Sequence, residues 1–258
     1  MKKVLLYIIL IILFVYLYNS FYSNPPLFLK KKVAEEFFND DPDFYFRNLT
    51  DIELRSMKYP PGEKGINMYI KDSINCLDEW NNDEKDILTK HCKEADKFLK
   101  NVKMEHFPNR LVANIKWKLV KVCGQKYEGA HPHTRMNMIF IPEDILKNKN
   151  ELTRYLVHEK CHVFSRLYPA HMAVWIKENG FKIHKRLDEY PLRRNNPDVD
   201  GWVYIDPQGR ETVALFTTPN PDRFEDVIYP GGFDRHETEH PNETLAYLLD
   251  SKVNDYFN

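Results

Sequence analysis

The spacing of apolar and polar residues changes character several times along this chain, and each change predicts an element. After Lys2 and Lys3 comes an uncharged run from Val4 to Tyr18, which Phe21 and Tyr22 can extend. About 19 residues of helix span about 28 Å, close to the hydrocarbon thickness of a bilayer. The following "YNSFYSNPP" offers no small-residue cleavage site, so the reading is an uncleaved, single-pass signal anchor over residues 1–24. Lys2 and Lys3 flank it closely, which favours an inside N-terminus and a lumenal or extracellular body. Pro25, Pro26 and the lysines Lys30, Lys31 and Lys32 make residues 25–32 a linker, and one domain is expected over residues 33–258.

Within that domain "NLTDIELRSMK" predicts a short helix capped by Thr50, with Asp51 and Glu53 in its first turn. From Asn81 to Val102, residues Ile87, Leu88, Cys92, Ala95, Phe98 and Leu99 recur at helical spacing. The period then shortens: Ile115, Trp117, Leu119 and Val122 alternate with lysines, and "MNMIFIP" reads as a short apolar strand ended by Pro142. Helical spacing returns in "NELTRYLVHEKCHVFSRLYP", where Leu152, Leu156, Val163 and Leu167 form the stripe and Asn150 can cap. "GWVYIDPQGRETVALFTT" predicts a hairpin turning at "DPQG", and "NNPDVDG" a turn, since it lacks the spacing of a calcium loop. The last helix is expected from Pro241, with Leu245, Leu248, Leu249, Val253 and Tyr256 on its apolar side.

Composition narrows the function. Lys and Arg number 37 against 38 Asp and Glu, so no basic excess exists to neutralise phosphates, and no nucleic-acid partner is expected. The four cysteines, Cys76, Cys92, Cys123 and Cys161, allow three pairings and do not make a disulfide scaffold; Cys161 is expected in the core. A cysteine-nucleophile reading fails because the adjacent His162 lies about 100° round the helix from Cys161. The sequons at Asn48 and Asn242 match a common short pattern, and Asn242 is expected to be unmodified.

The pattern "HExxH" occurs twice, as "HEKCH" from His158 and "HETEH" from His236. On a helix, His158 and His162 project about 40° apart and can share one ion, with the Glu159 carboxylate beside it. Imidazole nitrogens suit zinc, and a catalytic site requires a third protein ligand with a position left for water. The second copy follows "YPGGFD" and precedes Pro241, which bars helical backbone at His240, so it is expected to be a decoy. Glu243, in the first turn of the last helix and away from its apolar seam, is the expected third ligand; Asp250 shares its face. The competing readings are a pair of ordinary histidines, and Glu239 or His240 in place of Glu243.

"HEKCH" followed at a distance by "PNETLA" resembles the gluzincin group of zinc metallopeptidases, across roughly residues 82–258. That resemblance implies an α+β, zincin-like fold: a long N-terminal helix, a small mixed sheet with an edge strand, the motif helix, and a C-terminal helix carrying the third ligand. It implies His158, His162 and Glu243 as ligands of one Zn2+ per chain and Glu159 as general base. The activity implied is hydrolysis of a peptide or protein by metal-activated water, on a protein held at the membrane through its N-terminal helix. The alternative is a catalytically inactive, membrane-anchored binding domain on the same fold. In some members an aspartate one turn after the ligand glutamate buttresses a histidine; here that position is Tyr247, and Asp250 is the candidate substitute. Candidate oxyanion donors are Tyr204, Tyr229, His236 and His171, and a peptide is expected to pair with "MNMIFIP", contacted by Asn137.

Overall fold

The structure, a computed structural model, describes residues 25–124, 128–230 and 239–257. It is α+β. The run expected to cross a membrane, residues 1–24, lies outside the described residues. Among the described residues no helix is long and apolar enough to cross a membrane. Even the 20-residue helix Asn82–Asn101 carries acids and lysines throughout, which a hydrocarbon core does not tolerate. The expected membrane span, signal anchor and membrane placement, with the lumenal or extracellular body that depended on them, are therefore withdrawn.

At the centre stands a five-stranded mixed sheet. Its strands are β1 (Leu27–Phe28), β2 (Leu77–Asp78), β3 (Lys118–Val122), β4 (His133–Arg135) and β5 (Met138–Pro142). β5 runs parallel to β3 and antiparallel to β4, while β1 and β2 both pair with the other side of β3. β5 is thus an interior strand and β4 the edge. This corrects the expectation that a peptide pairs with "MNMIFIP", because both sides of that strand are occupied.

Two layers of helix cover the sheet. On one face α1 (Lys31–Asp40), α2 (Asp51–Ser56) and α3 (Glu63–Asn75) close over Val120, Val122, Met138 and Phe140. On the other, α4 (Asn82–Asn101), α5 (Asn109–Ala113) and α6 (Lys149–Leu167) pack on Leu119, Ile139 and Ile141. Alternate residues of β3 and β5 therefore enter two different cores, as the pleat requires. Lys121, one of the lysines in that alternation, is buried and held by Asp78 at 2.9 Å and Glu84 at 3.0 Å.

Local signals fix several helix ends. Thr50 and Glu53 form a reciprocal capping box at α2, and Asn81 and Glu84 form another at α4. α6 starts two residues earlier than expected, with Asn148 rather than Asn150 at its cap position. Its stripe is buried at Leu152, Leu156 and Val163, while Leu167 is exposed at the end. α7 (Pro169–Glu178) follows directly, then a three-stranded antiparallel sheet of β6 (Lys182–Arg186), β7 (Trp202–Ile205) and β8 (Glu211–Thr212). The β7–β8 turn is the expected one: Gly209 takes φ 82° and Asp206 accepts from the amides of Gln208 and Arg210. β9 (Leu215–Phe216) pairs with β10 (Val227–Ile228), and the chain closes with α8 (Pro241–Asp250) and α9 (Val253–Phe257).

A disulfide joins Cys76 to Cys123, tying the end of α3 to the exit of β3, while Cys92 and Cys161 are free and buried as core residues. α8 lies against α6: Leu245, Ala246 and Leu249 share a core with Leu156, Val157 and Cys161. That contact brings the last helix to the "HEKCH" motif.

Candidate metal centre

α6 presents His158 and His162 on one side, their ring centroids 4.8 Å apart. α8 begins opposite them. His240 caps it, its Nδ1 accepting from the Asn242 amide, and Pro241 supplies the preset first turn. This start aims Glu243 at the histidines: Oε2 stands 3.4 Å from His158 Nε2 and Oε1 3.7 Å from His162 Nε2. Ligand atoms of the three residues lie within 4.8 Å of one another.

The rival third ligands are engaged elsewhere. Glu239 is ion-paired with Arg194 at 2.7 Å, and His240 directs Nε2 to Asp200 at 3.1 Å while Nδ1 caps the helix. His236 lies outside the described residues. Asn242 is buried, its amide nitrogen directed at the Asp198 carbonyl.

Neighbouring groups fix the orientation of each candidate ligand. His158 Nδ1 meets Asp250 Oδ2 at 3.0 Å, which presents Nε2 towards Glu243. Asp250 thus fills the buttressing role from a position three residues beyond Tyr247. Asn196 donates to Glu243 Oε1 at 3.0 Å. Glu159 is buried next to the pair and accepts from the Thr134 hydroxyl at 2.9 Å, while the Thr134 amide donates to Asp198 Oδ1 at 2.7 Å. "NNPDVDG" is therefore more than a turn: Asn196 and Asp198 form a wall of the centre. The sequence held a signal for this in its density of short carboxylates and amides, but nothing that tied it to α6. Thr134 carried no signal at all.

Electrostatics follow from burial and these pairings. Burial drives the Glu159 carboxyl up to about 7, opposed by His158 and the Thr134 hydrogen bond and reinforced by Glu243. Burial raises Asp198 well above the carboxylate range, and Glu159 and Glu243 push it the same way. For Glu243 burial also opposes charge, but the two histidines and Asn196 outweigh it and hold the acid down at about 2. Burial brings His162 down to about 3, leaving it a neutral imidazole with lone-pair character. Burial resists charge on His158 too, yet Asp250 and Glu243 overcome it and raise that imidazole well above its usual range.

His162 supplies the test of fit. It is fully buried, and among the described residues neither ring nitrogen has a hydrogen-bond partner. An unsatisfied buried polar atom costs about 1–3 kcal/mol, and a cation between His162, His158 and Glu243 would remove that cost with a donor set suited to zinc. A second set, Glu159, His162 and Asp198, is equally close. It shares His162, offers one imidazole instead of two, and both of its carboxylates already bond to Thr134. The first set fits the ion better.

A cavity of about 220 Å³ opens beside these groups, lined by His158, Glu159 and Glu243 with His131, Pro132 and His133 leading onto β4. Of the donors expected to stabilise an oxyanion, neither Tyr204, Tyr229 nor His171 lines it. Tyr204 donates instead to Asp200 at 2.9 Å. No family model, no curated protein and no solved structure matches this chain, so the reading of the centre rests on its own geometry.

Proposed function

We propose that this chain is a zinc-dependent peptidase of gluzincin type, with His158, His162 and Glu243 holding one zinc ion and Glu159 serving as general base. The observation that carries the reading is the convergence of α6 and α8, which brings a carboxylate to two imidazoles while a second carboxylate stands beside them, dry and hydrogen-bonded. The finer zincin description is supported by the order of parts: the long helix α4, the mixed sheet with β4 at its edge, then α6 and α8.

When bound, the ion would acidify a water molecule and polarise the carbonyl to be attacked. Glu159 takes the water proton. Burial gives it a proton affinity near neutrality, which suits accepting that proton and returning it to the departing amine. The Thr134 hydroxyl holds one of its oxygens in place throughout. Asp250 keeps His158 in the tautomer that offers Nε2. An extended peptide would lie along the β4 side of the cavity, where His131, Pro132 and His133 meet it.

Metal analysis joined to peptide-library cleavage tests this. Glu159→Gln preserves shape without a base, so it should keep about one zinc per chain while turnover falls by roughly two to four orders of magnitude. His158→Ala, His162→Ala and Glu243→Ala should each lose metal and activity together, and Asp198→Ala should keep its zinc. Wild-type hydrolysis by Glu159→Gln would defeat the mechanism. Loss of zinc from Asp198→Ala but not from His158→Ala would move the ion to the other set.

A further inference from the structure

We infer that Tyr247 is a catalytic residue of the proposed peptidase, its hydroxyl donating to the oxyanion that develops on the substrate carbonyl. The inference rests on the peptidase reading above. Tyr247 follows Glu243 by one helical turn on α8, so both side chains leave the same face. Its ring stands edge-on to His158, centroids 4.7 Å apart at 77°, and it lines the same cavity as Glu159 and Glu243. Among the described residues no hydrogen bond engages its hydroxyl. Because Asp250 supports His158, position 247 is released from that duty.

Several other polar groups around the cavity are held by neighbours. Tyr45 and Tyr69 both donate to Glu128 at 2.7 Å. Arg194 is held by Glu239 at 2.7 Å and Arg154 by Glu151 at 2.8 Å. Tyr155 lies beneath the Arg154 guanidinium and turns to an apolar recess with Ile139, Ile145 and Leu152. That surroundings suit a wall for a substrate side chain, not a donor at the reacting carbonyl.

The step balances without another reactant. Water oxygen forms a bond to the carbonyl carbon, the π pair moves to the carbonyl oxygen, and the water proton passes to Glu159. Tyr247 lends a hydrogen bond to that oxygen and keeps its proton. On collapse the carbonyl re-forms, the C–N bond breaks, and Glu159 returns the proton to nitrogen. A donor that bonds more strongly to the oxyanion than to the ground-state carbonyl lowers the barrier selectively.

The test compares Tyr247→Phe, Tyr155→Phe and Glu159→Gln as zinc-loaded full chains. Tyr247→Phe should keep zinc and melting temperature, hold KM within threefold, and lose about 10²–10³ in kcat, the range for one oxyanion donor. Its affinity for a phosphinic peptide, which carries a tetrahedral oxyanion mimic, should fall by the same factor as kcat/KM. Tyr155→Phe should change KM by more than kcat. A Tyr247→Phe enzyme with wild-type kcat while Glu159→Gln is inactive would overturn the tyrosine assignment alone. A loss confined to KM, or an unchanged phosphinic-peptide affinity, would also overturn it. Wild-type turnover by Glu159→Gln, or no hydrolysis by the zinc-loaded wild type, would overturn the peptidase reading and this inference with it.

Discussion

Replacing Asp250 by alanine should weaken zinc binding without removing a ligand. Its Oδ2 lies 3.0 Å from His158 Nδ1, and the side chain is 5% exposed as a residue, so little water can enter to replace the lost acceptor. Freed of Asp250, the imidazole can rotate and can place its proton on Nε2, the nitrogen that must face Glu243 and the ion. Loss of such an orienting partner costs about 10–100-fold in metal affinity, or about 1.4–2.7 kcal/mol at one decade per 1.36 kcal/mol. The deep burial favours the upper end for Asp250→Ala, near a hundredfold. Asp250→Asn retains a carbonyl acceptor for the Nδ1 proton and should lose only about tenfold. Arg154 stands 3.9 Å from Asp250 but keeps Glu151 at 2.8 Å, so the fold should survive either change. Competition against a chromogenic chelator measures the affinity directly, with circular dichroism to confirm folding. An Asp250→Ala protein that competes for zinc within threefold of wild type would refute the assignment of Asp250 as the group that orients His158.

Two further outcomes bear on stability. The Cys76–Cys123 bond closes a loop across a sequence separation of 47, worth about 4 kcal/mol in the chain-entropy account. At about 2–4 °C per kcal/mol for a domain of this size, Cys76→Ser with Cys123→Ser should lower Tm by about 8–16 °C, and a fall below about 3 °C would contradict that estimate. The second outcome is a pH dependence at Glu53, whose carboxyl burial raises from 4.5 to about 7 against hydrogen bonds from Thr50 and Asn195. Since the folded value lies above the unfolded one, its contribution is fully present below about 4.5 and is lost as pH rises through about 7. Wild-type urea midpoints should therefore fall across that window more steeply than those of Glu53→Gln, and parallel slopes would defeat the reading.

Some of this architecture is written locally and some is not. The cap at Thr50 and the stripes of α4 and α6 were legible because a cap or a helical face involves residues three or four apart. The same holds for His158 with His162. Glu243 was legible one step further out, through the apolar seam of α8 that leaves its polar face for another use. Thr134 lies 25 residues from Glu159, and Asn196 lies 47 from Glu243. Neither contact has a period, so only the packed fold brings them in. The edge strand was misread for a related reason. β4 is three residues, "HTR", with no apolar residue to mark it, whereas the apolar β5 looked like the prominent strand because it is interior. The helices α1 and α3 went unread: the layer that covers Val120 and Val122 comes from short segments far back in the chain, and nothing local ties them to β3.

The centre places four carboxylates, Glu159, Asp198, Glu243 and Asp250, around two imidazoles in a setting largely closed to water. Such a cluster opposes folding, because like charges repel more strongly where the dielectric is low, and His162 adds two unsatisfied nitrogens. What holds it is the other flank of the same helix pair. Leu156, Val157 and Cys161 on α6 meet Leu245, Ala246 and Leu249 on α8, each at most 1% exposed. At about 1.5–3 kcal/mol for a large side chain fully buried, this dry seam offsets several kcal/mol of electrostatic cost. The small Ala246 in that seam suits a close approach of the two helices, and that approach decides whether Glu243 can reach the histidines. A cation that binds only the folded arrangement would add RT ln(1 + [L]/Kd) to stability. Apolar and polar flanks thus act as one device: the first fixes the helix pair at a spacing the second would not choose alone, and a bound cation would relieve the strain that remains.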